Sequence, residues 1–122
     1  MKLEEFKIDD ISILQLFDRI DAASSKELKE IVVTKIDQSK INLLLDMSQV
    51  SFIDSSGLGM LITCLKSINK AGGQLKVSNI SNNVKTIFDT TRMDRVFEIF
   101  DNNEDALRSF KIKSNQVLMN GH

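Results

Sequence analysis

The segment INLLLDMSQVSFID, residues 41–54, constrains the fold more than any other stretch of this 122-residue chain. It is apolar and rich in β-forming residues. Three consecutive leucines, Leu43 to Leu45, predict a strand that is covered on both faces, as in the centre of a parallel sheet. The segment ends at Asp54, and Ser55, Ser56 and a Gly-Leu-Gly sequence follow directly. The chain therefore predicts a buried central strand followed at once by a helix, with two hydroxyl groups at the turn.

The segments before this strand predict a hairpin and a helix. Two short apolar segments, residues 3–8 and 11–16, flank an Asp9-Asp10 turn and predict an antiparallel hairpin. Helical spacing follows, and Ser24 with Glu27 three residues later is typical of a capping box at the helix start. Lys26, Lys29 and Lys35 are expected on the solvated face of this helix.

The segments after the strand continue the alternation. The helix after Ser56 is expected to end at Gly72 or Gly73. QLKVS predicts a strand, Ser81 the cap of a short helix, and RVFEIF a further strand. Asn102 or Asn103 is expected to cap a last helix. The order β-β-α-β-α-β-α-β-α predicts an α/β fold, in which an N-terminal hairpin and parallel strands form one mixed sheet with about four helices.

Composition narrows the setting of the protein. The length fits one domain, expected over residues 1–112, with residues 113–122 as a disordered tail. The net charge of -1 argues against direct nucleic-acid binding. The single cysteine, Cys64, suits a reducing compartment and is expected to be a small filler. No apolar run approaches the ~20 residues of a membrane span, and no secretory signal is present, so a cytoplasmic protein without membrane insertion is expected.

The residues around the serines argue against an enzyme. The only histidine, His122, is the last residue, which argues against a catalytic histidine or a multi-histidine metal site. Ser55 and Ser56 stand in neither a G-x-S-x-G nor an S-x-x-K pattern, and no G-K-[ST] phosphate loop is present. The sequence thus predicts no enzymatic activity, no metal and no cofactor.

A modified serine fits the turn better. Asp54 or Ser55 can cap the helix, which leaves Ser56 free at the sheet edge where α/β proteins place ligand and partner sites. Gly57 and Gly59 each cost a helix interior ~1 kcal/mol relative to alanine, which indicates that something approaches the backbone closely. A phosphate added here would be tolerated by the helix N-terminus but would disrupt a docked partner.

The motif VSFIDSSGLGMLI closely resembles the signature of STAS-domain anti-sigma factor antagonists, and the resemblance extends over residues 5–110. LFDRIDAASSKELKE, the strand containing Asp46, and the AGG and IFD segments are similar to the corresponding family segments. The resemblance implies the STAS fold. The sequence departs from the family pattern at two positions, because Asp18 and Arg92 stand where the family has glycine.

The resemblance implies a partner-switching protein. An unphosphorylated antagonist binds an anti-sigma factor that is a serine kinase, which releases the sigma factor; phosphorylation breaks the complex and a PP2C-type phosphatase restores it. Ser56 is the expected acceptor and Ser55 the reserve. The expected partner-binding residues are Asp21, Asp54, Ser55, Gly57, Gly59 and Met60. The alternative is a non-phosphorylated STAS subunit of a transporter or of a lipid-trafficking ABC complex.

Overall fold

The computed structural model describes residues 1–110, which form a five-stranded mixed sheet in the order β1-β2-β3-β4-β5. The strands are β1 (Leu3–Ile8), β2 (Ile11–Ile20), β3 (Asn42–Ile53), β4 (Gln74–Ser78) and β5 (Ile99–Phe100). The α-helices are α1 (Ala22–Asp37), α2 (Ser55–Lys70), α3 (Asn82–Thr91) and α4 (103–110), and a 3₁₀ helix spans Met93–Arg95.

Strand directions match the predicted class. β1 is antiparallel to β2, and the other neighbouring pairs are parallel. The predicted α/β fold with a hairpin, parallel strands and four helices is confirmed. The predicted disordered tail at 113–122, with residues 111 and 112 of the predicted domain, lies outside the described residues. None of the helices within residues 1–110 has the length and apolar content needed to cross a membrane.

The central pair of strands is longer and less regular than the sequence suggested. β2 continues to Ile20, four residues beyond the predicted end at Leu16. Its register with β3 shifts twice, between Gln15 and Phe17 and between Asp18 and Arg19, and each time β3 contributes an additional residue. Such bulges bend the bulged strand and increase its twist. They change which side chains of β3 face each side before the strand reaches Asp54.

The main core fills one face of the sheet beneath α1, α2 and α3. Leucines of β2 and β3 pack there against Leu28 and Val32 of α1 and Leu61 of α2. Cys64 is 1% exposed in this core, so its expected role as a small filler is confirmed. Burial raises the pKa of the Cys64 thiol to about 11, which keeps it protonated at neutral pH.

The other face of the sheet is covered by α4. Ile11, Ile13 and Leu44 pack against Ala106 and Phe110. The same face carries a buried polar network that anchors the start of α4. The Asp46 carboxylate accepts hydrogen bonds from the Asn103 side chain at 3.0 Å and from the Ser48 backbone at 2.9 Å.

Lys76 holds the far end of α4. Its ammonium donates to Ser109 Oγ at 2.6 Å and lies 4.7 Å from the centre of the Phe110 ring. Glu98 Oε2 is 3.1 Å away. A lysine that is 1% exposed is thus stabilised by a hydroxyl, an aromatic face and a carboxylate, as a buried charge requires.

Three local predictions need correction. The cap of α1 is Asp21 rather than Ser24. Ser24 occupies the third helical position, where its N–H donates to the Asp21 carboxylate and its hydroxyl oxygen accepts a hydrogen bond from the Asp21 N–H. Lys35 is buried and paired with Glu5 of β1 rather than solvated, while Lys26 and Lys29 are exposed as expected. The predicted strand RVFEIF shortens to Ile99–Phe100, because the 3₁₀ helix extends to Arg95 and Phe97 enters the core.

Both positions where the chain lacks a family glycine keep a left-handed backbone. Asp18 has a φ of 66°, and Arg92, the C-terminal cap of α3, has a φ of 64°. Aspartate tolerates this region better than most residues, because its short side chain can hydrogen-bond to the nearby backbone. Arginine has no comparable way to offset the steric cost of a positive φ. The backbone shape that glycine favours is therefore preserved at both sites.

Replacing these residues by glycine should stabilise the fold. We expect Asp18→Gly and Arg92→Gly each to raise the free energy of unfolding by about 1 kcal/mol in urea denaturation, because glycine adopts positive φ without a steric penalty. The matched control is Thr90→Gly, within α3, which should lower it by a similar amount. Destabilisation by both glycine variants at positions 18 and 92 would refute the strain argument.

Candidate functional site

Three helices begin at one edge of the sheet, where the parallel strands end. Ile20 of β2 pairs with Ile53 of β3, and the next residue in each strand, Asp21 or Asp54, caps the following helix. Ser81 caps α3 after β4 and also donates to the Val50 carbonyl at 3.4 Å. The carboxyl edge of the sheet is thus lined by helix N-termini, which favour negative charge.

Asp54 fixes the start of α2. Its Oδ1 accepts a hydrogen bond from the Gly57 backbone at 2.8 Å, and its carbonyl accepts the first helical bond from Leu58 N at 2.9 Å. Its own N–H donates to the Ile20 carbonyl at 3.2 Å. One residue therefore ties the helix N-terminus to the end of the neighbouring strand.

Both serines of the turn are accessible. Ser55 and Ser56 occupy the first two positions of α2, and both are exposed. Asp54 satisfies the cap, so neither hydroxyl is required for it. The N–H groups of the first helical positions have no partner within the helix, and they lie beside these hydroxyls. The geometry suits a covalent anionic modification.

The two glycines of the motif differ in their surroundings. Gly57 is buried, and a Cβ built on it would lie 2.3 Å from the Ile20 carbonyl oxygen and 2.8 Å from Cγ2 of Ile53. Gly57 therefore packs inward and is not available for the partner contact that was expected of it. Gly59 is exposed, and a Cβ added there would meet no atom within 4 Å. Met60 is half-buried against the main core.

Asp21 forms a second capped turn beside the first. Its carboxylate accepts from the Ser24 backbone at 3.2 Å and from the Ser24 hydroxyl at 3.1 Å. The Ser24 backbone bond, followed by the Ser24 hydroxyl, lowers the pKa of Asp21 below its ordinary value of 3.8. The stability from this interaction is present above pH 3.8 and is lost as the pH falls through the lower folded-state pKa.

An aromatic–arginine pair near the edge was not predicted. The Arg19 guanidinium lies 4.8 Å from the centre of the Phe52 ring, and the two residues are opposite each other in β2 and β3. Phe52 is 39% exposed although the apolar segment VSFI suggested burial. The ring lies on the same side of the sheet as Ile13 and Leu44, but α4 packs against the opposite end of these strands, a non-local arrangement that the sequence pattern does not indicate.

The edge is predominantly acidic. Asp18 is exposed, Asp21 and Asp54 are half-buried, and all three lie at the ends of β2 and β3. Arg19 adds one positive charge, which also acts on Asp21. Within residues 1–110, no cluster of three or more histidine, cysteine or acidic side chains is arranged to hold a metal ion. The arrangement places two accessible hydroxyl groups beside a largely acidic surface.

Comparison with known proteins identifies the family. A family model described as the STAS domain matches residues 4–106, so the chain belongs to the STAS domain family.

Particular relatives share the fold over most of their length. The chain is 32% identical to the anti-sigma-B factor antagonist of Bacillus subtilis over 89 residues, 73% of this chain and 81% of that protein. The crystal structure of Thermotoga maritima TM1081 superposes with a TM-score of 0.82 at 25% identity, covering 88% of this chain and 92% of that one. The unphosphorylated antagonist SpoIIAA of Bacillus gives 0.78 at 18% identity, with coverages of 90% and 96%.

The two glycines make a matched test of the site geometry. We expect Gly57→Ala to lower the free energy of unfolding by at least about 2 kcal/mol, because its methyl group would collide with the backbone of β2. Gly59→Ala should raise it by about 1 kcal/mol, since alanine favours the helix and meets no neighbour. Thermal and urea unfolding measure both, and equal effects of the two changes would contradict the packing described.

Proposed function

We propose that this protein is an anti-sigma factor antagonist whose carboxyl sheet edge binds an anti-sigma factor serine kinase and thereby releases a sigma factor. The proposal is supported by the relative from Bacillus subtilis, which is named an anti-sigma-B factor antagonist. The accessible serines at the start of α2 are the observation that carries it. The protein acts by binding and release, and catalysis belongs to its partners.

Ser56 is the proposed phosphorylation site. It is exposed in the first turn of a capped helix, close to a half-buried Asp54 that already completes the cap. A phosphate there would carry about -1.5 to -2 charges near neutral pH, and the helix N-terminus would stabilise that charge. The fold should therefore remain intact after modification. The structure of SpoIIAA, which shares the fold, is known in a phosphorylated form.

The same charge would disrupt the docked complex. Asp18, Asp21 and Asp54 place three carboxylates at this edge, so a phosphate adds repulsion to the cost of being desolvated in an interface. A loss of ~4 kcal/mol in binding free energy corresponds to about a thousandfold loss of affinity. A PP2C-type phosphatase would return the protein to its binding form.

The docking surface extends beyond the serines. We assign to it Asp21, Asp54, Ser55, Gly59 and Met60, and we add the exposed pair Arg19 and Phe52. Gly57 supports the surface from within. The alternative role as a transporter or ABC-complex subunit has weaker support, because the Bacillus subtilis relative described above is an antagonist.

Incubation with ATP and a candidate anti-sigma factor serine kinase tests the acceptor. We expect a mass gain of one phosphate that is lost in Ser56→Ala and kept in Ser55→Ala, because the two variants differ only in which exposed hydroxyl remains. Ser56→Asp should abolish kinase binding in calorimetry while its circular dichroism spectrum stays native. Unchanged affinity of Ser56→Asp would overturn the switch.

Replacements of Asp54 separate its capping role from its charge. Asn caps about as well as Asp, whereas Ala does not. We expect Asp54→Asn to keep the native free energy of unfolding and Asp54→Ala to lower it by about 1 kcal/mol. If the carboxylate contacts the kinase, both variants should weaken binding at least tenfold in calorimetry. Binding that is weakened only by Asp54→Ala would restrict Asp54 to a structural role.

A further inference from the structure

Within residues 1–110, the outer strand β1 presents unpaired backbone along one edge of the sheet. The Lys2 carbonyl accepts a hydrogen bond from Phe17 N at 3.2 Å, so the main chain of Lys2 faces β2. Backbone groups in an antiparallel ladder alternate in direction along a strand. The main-chain groups of Glu4, Phe6 and Ile8 therefore also face β2, and those of Leu3, Glu5 and Lys7 face outward.

The side chains of β1 combine exposed apolar groups with opposite charges. Phe6 is 50% exposed and Ile8 39% exposed, and alternation places both on the α4 side of the sheet. Glu5 faces α1, where it pairs with Lys35 yet stays 30% exposed, and Lys7 shares that side. Exposed edges are usually protected by charges that disfavour pairing. Here the two charged outward-facing positions, Glu5 and Lys7, carry opposite signs.

Two-fold pairing of this edge with itself allows few registers. Two copies of a strand related by a two-fold axis run antiparallel, and residues that face each other point to the same side of the sheet. If the two-fold axis lay at Glu5, the two copies of Glu5 would face each other. If it lay at Lys7, the two copies of Lys7 would face each other. Centring on Phe6 opposes Glu5 with Lys7 twice and brings the two Phe6 rings together. It also pairs the outward backbone groups of Glu5 and Lys7.

We propose that two copies of this protein associate through β1, antiparallel and with Phe6 opposite Phe6, to form one continuous sheet. The charges of each edge complement those of its copy, and the exposed Phe6 ring gains an aromatic partner, which stabilises cross-strand pairs.

The surroundings of Lys7 favour this partner. Lys7 lies close enough to Lys40 that a hydrogen bond to Lys7, and then the charge of Lys7, lowers the pKa of Lys40. A carboxylate from the second copy would relieve the repulsion between these ammonium groups. The Ser56 edge is a different boundary of the sheet, because it lies at the ends of β2 and β3. Pairing through β1 therefore leaves the phosphorylation site accessible.

Single cysteine variants test the register in the full chain. Opposed residues of a non-hydrogen-bonded pair have Cα atoms about 4.5 Å apart, which a disulfide can bridge. We expect Phe6→Cys to form linked dimers in a glutathione redox buffer at least tenfold faster than Glu4→Cys or Ile8→Cys, whose copies would be about 14 Å apart. Buried Cys64 should not compete. Faster linkage of Glu5→Cys or Lys7→Cys would refute this register.

Solution measurements on the unmodified chain test the association itself. Sedimentation should show a concentration-dependent dimer, and the amides of Glu5 and Lys7 should exchange more slowly as concentration rises, with no change at Glu4 or Phe6. Lys7→Glu should raise the dissociation constant at least tenfold, whereas Lys26→Glu, with the same change in net charge on an exposed part of α1, should not. A monomer at every concentration up to about 1 mM would overturn the proposal.

Discussion

The contact between Gly57 and the end of β2 is the constraint on which the rest of the site depends. A side chain at this position would lie 2.3 Å from the Ile20 carbonyl oxygen, the same oxygen that accepts the Asp54 N–H. The first turn of α2 can therefore lie against the strand ends only because residue 57 has no side chain. With that turn held inward at Gly57, the preceding helical positions, Ser55 and Ser56, face solvent.

The two faces of the sheet are stabilised by different physics. Beneath α1, α2 and α3, the strands contribute almost entirely apolar side chains. Beneath α4, the sheet contributes apolar side chains and, in addition, Asp46, Lys76 and Ser78, which are buried and hydrogen-bonded to residues of α4. Hydrophobic contact is non-directional, whereas such a polar network fixes position. The main core thus supplies most of the stability, and the polar network sets where α4 lies.

The sequence predicts the order of elements because periodicity and turn residues are local signals. QLKVS forms β4 as predicted, Ser81 caps α3, and Gly72 follows α2 with a φ of 87°. The signature motif and the exposed serines could likewise be predicted from the chain. The errors arise where non-local contacts decide. Lys35 was expected in solvent, but it is buried against Glu5. The local pattern could not indicate this pairing, because it joins residues 30 positions apart. The exposure of Phe52 was missed because it depends on which part of the sheet α4 covers. Asp21 displaced Ser24 as the cap because β2 continues to Ile20.

The two proposals together give a reason for separating the functional edges of the sheet. A partner docked at the ends of β2 and β3 would contact the region around Ser56, while association through β1 would use the side of the sheet. A dimer would present two docking edges held in a fixed relation, and linked sites raise the effective concentration for a second binding event when the partner is itself divalent. Phosphorylation of one copy would then release the partner from that copy. The avidity that comes from binding both copies at once would be lost as well. The response to a single phosphate would be steeper than the local charge alone produces, without any change in the fold of either copy.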